Sequence, residues 1–404
     1  MEQNLPSLRF PEFEGCWERA TLGKIASFAK GKGITKSDIC AEGNIKCVRY
    51  GELYTHYSEL AEHIKSSTNL PKKELVLSLQ NDVLIPASGE SAIDMATATC
   101  VKESGLGLGG DINIIRSKLD GIFLAYYLNN SRKIDIARYA QGISVIHLYA
   151  AQLKLLKICV PPTNDEAIKL GEFLSQIDKS RMFLREKLEV LKKYKKGLLQ
   201  KLFKQEVRFK NKDGSSFPDW QMRKFEDFIT VEGKYPLSND LSPLASLTIE
   251  NGIEAKSARY VRGFLVNNEK DAYKLVCPEH FVSNPMNLRF GAIAKNNTDK
   301  TVKISKYYDV FSVDDSINAD YFELYLKSYE MMKTYHRTAT GTLEEKKRVH
   351  FSEFIMFEKM MPSKEEQNKI SEVISRLDEN IANLSAKVDA IVSFKKSLMQ
   401  QMFV

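Results

Sequence analysis

The stretch Pro162–Phe203 reads PTNDEAIKLGEFLSQIDKSRMFLREKLEVLKKYKKGLLQKLF, and Pro362–Phe403 reads PSKEEQNKISEVISRLDENIANLSAKVDAIVSFKKSLMQQMF. The two stretches align without a gap. Each opens with a proline and closes on Lys-Lys-x-Leu-x-Gln-x-x-Phe. A long helix that is repeated once, with a different block of sequence before each copy, is typical of a spacer between two globular domains.

Both copies carry the same apolar frame, in which steps of three and four residues alternate. Such a seam, sustained over about four heptads, predicts a coiled coil. The simplest partner of each helix is the other one, and they must run antiparallel if each leaves one domain and enters the other. The frame holds Leu174, Ile177, Arg181, Leu184, Leu188, Leu191, Lys195, Leu198 and Leu202 in the first copy, and Ile374, Leu377, Ile381, Leu384, Val388, Ile391, Lys395, Leu398 and Met402 in the second.

Lysine interrupts both seams at the same frame position, as Lys195 and Lys395. A polar residue in a coiled-coil seam lowers stability but fixes the register. We therefore expect that replacing both lysines by leucine stabilises the helix pair or loosens its register. The alternative is that these are ordinary core helices of one large domain, although a core helix rarely keeps a strict heptad for about 40 residues.

The repeat extends into the segments around the helices. Arg9 and Trp17 in the first half match Arg208 and Trp220 in the second, and Phe123–Leu128 (FLAYYL) matches 321–326 (YFELYL). The sequences between these shared edges differ and contain short strand-like runs punctuated by glycine and asparagine. Shared edges around divergent interiors predict two domains of one design with different specificities.

Composition sets mild limits on function. The chain has 404 residues, 43% hydrophobic content and a net charge of +7, which weakly favours an acidic partner. None of the six cysteines lies in a Cys-x-x-Cys pair, which is typical of reduced thiols. The N-terminal sequence has no signal pattern and no apolar run reaches membrane-spanning length, so we expect a cytoplasmic protein.

These features together resemble the specificity (S) subunit of Type I restriction–modification enzymes. The resemblance covers essentially the whole chain. It is carried by the two repeated helices, the leading segments with Trp17 and Trp220, and Asn81–Ile85 (NDVLI), which is similar to the Gly-Asp-(Ile/Val)-Leu strand start of these domains with Asn81 in place of glycine. The second domain lacks an obvious copy of that strand start.

The resemblance implies an α+β fold in which two mixed α/β target-recognition domains alternate with two long helices that form an antiparallel coiled coil with pseudo-twofold symmetry. The expected divisions are 1–161 for the first recognition domain, 162–204 for the first spacer helix, 205–361 for the linker and second recognition domain, and 362–404 for the second spacer helix. Each domain would read part of a split, asymmetric site in double-stranded DNA. The implied partners are methyltransferase (M) subunits, of which two are expected, and restriction (R) motor-nuclease subunits. The S subunit itself is not catalytic and carries no cofactor.

A DNA reader needs cations for phosphates and forked donors for base edges. Side chains of these types cluster in glycine-punctuated or polar segments of both domains. The candidate DNA-binding residues are Lys30, Lys32, Arg49, Tyr50, Arg138 and Gln141 in the first domain, and Lys256, Arg259, Tyr260, Arg262, Lys295, Asn296, Asn297 and Arg337 in the second. Each of them, taken singly, also fits an ordinary solvated surface position.

Two alternatives from other functional classes stay open at this stage. One is a scaffold whose domains bind other proteins. The other is a nuclease, because Pro218-Asp219 followed by Glu232-Gly233-Lys234 fits a loose metal-dependent nuclease pattern. The glycine-rich run Gly105–Gly110 is not followed by a helical pattern and predicts a turn. The histidines show no metal-ligand spacing, so we expect no metal site.

Overall fold

The structure, a computed structural model, describes residues 4–142, 146–236, 241–255 and 273–404. The chain divides into two compact units. The first comprises Met1–Lys187 and Leu384–Val404, and the second comprises Leu188–Asn383. Each unit therefore contains the sequence of one predicted recognition domain together with segments of both long helices. The predicted domain limits themselves stay a prediction.

The first unit is rich in short strands. Its strands are β1 (Glu18–Thr21), β2 (Ala26–Lys30), β3 (Ile39–Cys40), β4 (Ile45–Val48), β5 (Leu60–Ala61), β6 (Ser66–Thr68), β7 (Val76–Leu77), β8 (Asp82–Pro86), β9 (Ser88–Gly89), β10 (Thr99–Val101), β11 (Gly107–Leu108), β12 (Ile112–Ser117), β13 (Ile146–His147) and β14 (Lys157–Val160). They form one five-stranded sheet in the order β2-β12-β8-β10-β5, a second in the order β3-β6-β4-β11-β7, and the pairs β1-β14 and β13-β9.

Helices pack against both faces of the main sheet, the one that contains β8. They are α1 (Leu22–Ile25), α2 (Tyr50–Thr55), α3 (Ala92–Met95), α4 (Gly121–Ser131), α5 (Lys133–Tyr139), α6 (Ala150–Lys154) and the long α7 (Asn164–Phe203). Val83 and Ile85 of β8 share a core with α4, while Leu84 shares another with Leu53 of α2. The helix α4 is buried along Gly121–Leu128, which explains its unbroken apolar sequence. Asp120 caps it by accepting a hydrogen bond from the Phe123 backbone N–H at 2.8 Å.

The second unit repeats the frame with fewer strands. These are β15 (Gln221–Lys224), β16 (Ile229–Glu232), β17 (Ala245–Thr248), β18 (Gly252–Ala255), β19 (Tyr273–Val276), β20 (Phe281–Ser283), β21 (Ile293–Lys295), β22 (Val302–Ser305), β23 (Asp309–Val313) and β24 (Glu358–Met361), with α8 (Ala319–Leu326), α9 (Tyr329–Thr338), α10 (Phe351–Phe354) and α11 (Lys364–Met402). The main sheet runs β16-β23-β20-β21, beside the pairs β15-β24, β17-β18 and β19-β22.

The two main sheets share one plan. In the first unit β2, β12, β8 and β10 are antiparallel neighbours, and in the second unit β16, β23, β20 and β21 follow the same order. The strand start missing from the second sequence therefore has a counterpart, β20, in the place of β8. Asn81 before β8 and Glu279 before β20 both have positive φ, of 77° and 66°, so the left-handed turn is kept although the sequence is not.

Segments of α7 and α11 pack antiparallel inside each unit. In the first unit Phe403, after the end of α11, packs on Phe123 and Tyr127 of α4, with ring centroids 5.8 Å apart in both pairs. In the second unit Phe203, at the end of α7, packs on Tyr321 and Tyr325 of α8, at 6.1 and 5.4 Å. The phenylalanine that closes each repeat therefore lies in the unit that contains the beginning of the other helix.

The predicted seam positions are covered in both helices. Every frame position between 174 and 202, and between 374 and 402, is buried or half-buried, and most positions between them are exposed. Leu188, Leu384 and Lys395 are among the buried ones, and Leu184, Leu191, Lys195, Val388 and Ile391 are half-buried. The predicted fold class, mixed α/β units with two long helices, is confirmed.

Candidate nucleic-acid interface

A buried glutamate anchors the leading segment of the first unit to α7. Glu166, in the first turn of that helix, is about 1% exposed. It accepts hydrogen bonds from Arg9 Nε and Nη2 at 2.8 and 2.7 Å, and from Trp17 Nε1 at 3.2 Å. The hydrogen bonds to Glu166 raise the pKa of Arg9. The forked pairing fixes the leading segment against the helix, because a bidentate guanidinium constrains geometry as well as charge.

The second unit contains the same anchor. Glu366, in the first turn of α11, accepts from Arg208 Nε and Nη2 at 3.0 and 2.7 Å and from Trp220 Nε1 at 3.1 Å. The repeated arginines and tryptophans are thus structural. Sequence reasoning missed the two glutamates, although both stand five residues after Pro161 and Met361 in otherwise matching positions and could have been paired with the arginines.

In the first unit the seam lysine Lys395 is at the centre of a buried polar cluster. Its Nζ lies 2.6 Å from Asp178 Oδ2 and 3.7 Å from Glu59 Oε2. Tyr126 donates its hydroxyl proton to the same Asp178 oxygen at 2.5 Å, and Lys395 also lies over the Tyr126 ring at 4.8 Å. Burial, followed by the charge of Asp178, raises the pKa of Tyr126 far above its ordinary value.

In the second unit the matching lysine makes a more exposed ion pair. Lys195 Nζ lies 2.5 and 2.6 Å from the two carboxylate oxygens of Asp378. The side chains of Lys195 and Asp378 are 23% and 49% exposed, against 10% and 9% for Lys395 and Asp178. Residue 324, the counterpart of Tyr126, is leucine, so the second ion pair receives no hydroxyl there.

Three loops that carry candidate residues meet in the first unit. The Gly31 N–H donates to Ile112, the Lys32 N–H to Leu108 and the Gly109 N–H to Val48, at 2.9–3.0 Å between N and O. A Cβ built on Gly31 would lie 2.0 Å from the Gly109 carbonyl oxygen, so this crossing of two backbones requires glycine. We call the loops 30–33, 48–50 and 109–111 the glycine junction.

The glycine junction brings four of the predicted DNA-binding residues to neighbouring loops. Lys30 is two-thirds exposed and pairs with Asp111 at 3.4 Å, and Lys32 is exposed. Arg49 is half-buried and hydrogen-bonds Glu52 at 3.3 Å, while Tyr50 is 37% exposed. The sequence placed these residues in separate motifs, and only the fold assembles them.

The other first-unit candidates lie further along the chain. Gln141 forms an isolated backbone bridge with His147, and the next residue, Leu148, donates to the Ala87 carbonyl oxygen. The Ala87 N–H in turn donates to the Asp111 carbonyl oxygen at 2.7 Å, which links this segment to the glycine junction. Arg138 is exposed on α5 and pairs with Asp135 at 3.2 Å.

The second-unit candidates are placed differently. Lys256, Arg259, Tyr260 and Arg262 lie outside the described residues. Lys295 is only 4% exposed and contacts Glu279 and Asp320 at 2.6 and 2.8 Å. Burial acts to lower the pKa of Lys295, but the hydrogen bonds that its ammonium group donates to Asp320 and Glu279 outweigh burial, and the pKa is raised. Asn296 is fully buried and donates to the backbone carbonyl oxygens of Val276 and Lys300.

Two second-unit candidates remain on the surface. Asn297 is exposed and donates to Glu323 at 3.3 Å, and Arg337 is exposed near the end of α9. Lys295 and Asn296 therefore hold their loop, while Asn297 and Arg337 are the described candidates that face solvent.

The residues of the nuclease pattern are engaged elsewhere in the second unit. Asp219 is fully exposed and pairs with Arg208 at 3.4 Å, and Glu232 accepts a hydrogen bond from Ser312. Within the described ranges, no group of three or more His, Cys, Asp or Glu residues is arranged to hold a metal ion. In the same part of the chain, no helix has the length and apolar character needed to cross a membrane.

Comparison with known proteins finds similarity to Type I restriction specificity subunits. Residues 14–193 match the family described as "Type I restriction modification DNA specificity domain". The matched stretch covers β1–β14 and most of α7. Over 247 residues, this chain is 26% identical to the Type I restriction enzyme MjaVIII specificity subunit of Methanocaldococcus jannaschii. The aligned stretch covers 58% of this chain and 53% of that protein. Over 134 residues, this chain is 29% identical to the putative MjaX specificity subunit of the same organism. This second alignment covers 31% of each chain.

Solved structures from Type I restriction–modification systems share the fold. The S subunit from M. genitalium covers 99% of both chains with a TM-score of 0.59 at 14% identity. A chain from a type I R-M system, solved to explain complex assembly and conformational transition, covers 97% of this chain and 98% of its own with a TM-score of 0.52 at 12% identity. The chain spans about half of the length of the first of its curated relatives.

Proposed function

We propose that this chain is the DNA sequence-recognition subunit of a Type I restriction–modification complex and that its two units read the two parts of a split, asymmetric site. The observation that carries the proposal is the repeat of one frame around two different interiors. The Arg-Trp-Glu anchor and the main sheet recur in both units, while the second five-stranded sheet occurs only in the first unit among the described residues. Two units that share a framework but differ in the segments within it can each recognise a different half of a split DNA site.

The glycine junction is the proposed reading surface of the first unit. It presents Lys30 and Lys32 for phosphates, and Arg49 and Tyr50 at the start of α2 for base edges. Arg49 is held by Glu52, which is itself 5% exposed and accepts a hydrogen bond from Ser66. A guanidinium held in this way is oriented before DNA arrives, so less side-chain freedom is lost on binding. In the second unit Asn297 and Arg337 are the described residues that we assign to DNA.

The long helices are the proposed docking surface for two M subunits. Both carry an exposed aromatic side chain immediately before the seam lysine, Tyr194 at 56% and Phe394 at 54% exposure. Aromatic side chains are enriched where protein partners bury surface. A surface that recurs at the same position of a repeat can bind two copies of one partner. We propose that R subunits join through this complex, since a structure of a type I R-M system addresses complex assembly.

Sequencing of the methylated bases in a host that carries this chain with its M subunit tests the split site. We expect one bipartite asymmetric motif with a spacer of fixed length. A continuous motif would contradict the assignment of one half-site to each unit. Methylation that does not depend on this chain would instead support the protein-scaffold alternative.

Salt-dependent DNA binding tests the glycine junction in the purified subunit. The variant Lys30→Gln/Lys32→Gln should reduce the slope of log K against log salt by about one for each lost phosphate contact. The matched control is Lys118→Gln, which removes an exposed lysine beyond the opposite end of β12. If the slope of log K against log salt were the same for the control and the double variant, the glycine junction would not be a DNA-binding surface.

A further inference from the structure

An open cleft in the first unit collects positive charge away from the glycine junction. It has a volume of about 660 Å³ and lies over the strand pair β1-β14 and the beginning of α5. Its charged lining consists of four cations and one side-chain carboxylate: Arg19, Lys24, Arg132, Lys157 and Asp135. We call it the basic cleft. Sites for small ligands in proteins have volumes of about 300–1,000 Å³, so the cleft has the size of a ligand site.

The cations of the basic cleft have few partners. Arg132 Nη1 donates to the Ser131 carbonyl oxygen at 3.2 Å and Nη2 to that of Val404 at 3.4 Å, and its Asp135 ion pair measures 3.8 Å. The guanidinium of Arg132 also lies over the Tyr127 ring, 5.3 Å from the centroid. Its buried Nε has no hydrogen-bond partner among the described residues. A buried donor without an acceptor is costly. Arg19 donates to Asn4, while Lys24 and Lys157 are exposed and make no hydrogen bond or ion pair within the described ranges.

The second unit has different charges at the positions that match the four cations. Counting from the paired tryptophans Trp17 and Trp220, Arg19 corresponds to Met222 and Lys24 to Asp227. Lys157 lies opposite Thr21 in the β1-β14 register, and Glu358 lies opposite Lys224 in the matching β15-β24 register. Three of the four cations are thus replaced by one apolar and two acidic residues on the same frame. The second unit has cations at three other matching positions, but each has a polar partner: Arg223 with Ser316, Lys224 with Glu358 and Lys359 with Thr334. The cations are not needed to build the frame.

The difference in charge between the two units limits which class of ligand the basic cleft can bind. Phosphates of the duplex backbone and M subunits that dock twice would each use both units alike, so neither accounts for a cluster of cations with few partners in the first unit alone. An acidic peptide places carboxylates on alternate faces, about 7 Å apart on each face. Several cations around one small cleft instead suit a ligand that concentrates its negative charge, and guanidinium forks match phosphate oxygens.

We propose that the basic cleft binds an oligophosphate, such as the phosphate chain of a nucleotide, and that it does so once per chain. Arg132, Arg19, Lys24 and Lys157 surround the negative charge of the ligand. None of the residues that line the cleft is an aromatic side chain on which a base could stack, so recognition concerns the phosphates. The proposal does not depend on DNA reading by the glycine junction.

The test is calorimetric titration of the full chain with inorganic triphosphate, for the wild type and for Lys24→Asp/Lys157→Glu. These substitutions give the cleft the charges of the second unit at the same positions. The control is Lys72→Asp/Lys73→Glu, which makes the same change of charge at exposed lysines outside the cleft. We expect binding of one triphosphate per chain, an affinity loss of more than about tenfold in the cleft variant, and wild-type affinity in the control. Thermal melting of all three proteins checks that they are folded.

Three results would overturn the proposal. The first is no saturable binding by the folded wild type. The second is an equal loss of affinity in the cleft variant and in the control, which indicates general charge attraction. The third is displacement of triphosphate by a glutamate-rich peptide at lower concentration than by pyrophosphate, which would assign the cleft to an acidic protein segment. Competition by duplex DNA, measured on the cleft variant as well, shows whether the phosphates come from DNA or from a free oligophosphate.

Discussion

Replacing the two seam lysines one at a time should have unequal consequences, although the lysines occupy the same position of the repeat. Lys395→Leu removes the cation from a cluster in which Asp178 is buried, Glu59 is near and Tyr126 donates to the same carboxylate. Lys195→Leu removes the cation from Asp378, which is half exposed and can be solvated by water. The expectation from sequence treated both lysines alike.

The burial of each partner sets the magnitude. Breaking a buried ion pair by removing one member costs about 3–5 kcal/mol, because the other charge stays buried. Arg181 Nη2 lies 3.4 Å from Asp178 Oδ1 and offsets part of this cost, so we expect a loss of about 3 kcal/mol for Lys395→Leu. A solvent-exposed pair contributes about 0.2–1 kcal/mol, and the added leucine in the seam compensates for part of that in Lys195→Leu.

The two tryptophans allow each unit to be followed separately. Trp17 belongs to the first unit and Trp220 to the second, and both are buried. In a Trp220→Phe background the remaining fluorescence reports on Lys395→Leu, and in a Trp17→Phe background it reports on Lys195→Leu. For domains of this size each kcal/mol shifts Tm by about 2–4 °C, so Lys395→Leu should lower the first transition by roughly 6–12 °C. Lys195→Leu should shift the second by less than about 4 °C.

A double variant separates charge burial from packing. Asp178→Leu added to Lys395→Leu removes the stranded charge, and apolar replacement of a whole buried pair is often neutral, so part of the lost Tm should return. Equal shifts for the two single variants would refute the reasoning. So would a Tm that rises in Lys395→Leu, because it would mean that the buried cluster contributes no stability.

Three further predictions concern the frame. Glu366→Gln should lower the free energy of unfolding of the second unit by about 2 kcal/mol in urea, because Arg208 loses a charged, bidentate acceptor, while Glu365→Gln, an exposed neighbour, should have little effect. Burial raises the pKa of Asp309 to about 6, so the destabilising effect of this carboxylate grows as pH rises from about 4 to 6. Asp309→Asn should therefore stabilise the second unit at about pH 7.5 but not near pH 4. An equal gain in stability at both pH values would contradict the assignment. Asn81→Gly keeps the left-handed turn but loses the hydrogen bonds of Asn81 with Leu119 and Gly121, so it should cost about 1–2 kcal/mol in thermal unfolding, and Asn81→Ala should cost more.

Much of the fold could be predicted from the sequence, because a duplication repeats the same residue pattern at two places in the chain. The seam frame predicted the covered positions of α7 and α11, and the matched tryptophans predicted a shared frame. The strand β20 was not recognised, because its left-handed turn is made by Glu279 and not by the glycine or asparagine that signals such a turn.

The candidate site was less predictable, because exposure depends on neighbours that are distant in the chain. Lys295 and Asn296 look like a polar surface loop, yet carboxylates and backbone carbonyls from other segments bury them. Conversely, the motifs around Lys30, Arg49 and Gly109 gave no sign that they meet. Backbone contacts at glycine are made possible by a missing side chain and leave no pattern beyond the glycine itself.

The sequence by itself determined the number of repeats and the heptad frame, because periodicity and residue identity are local properties of the chain. Only the tertiary structure decided that Lys395 stabilises the first unit through Asp178 while Lys195 pairs with an exposed aspartate in the second. The same residue in the same frame acquires different energetics because burial, and with it the cost of an unpaired charge, depends on what the rest of the fold packs around it.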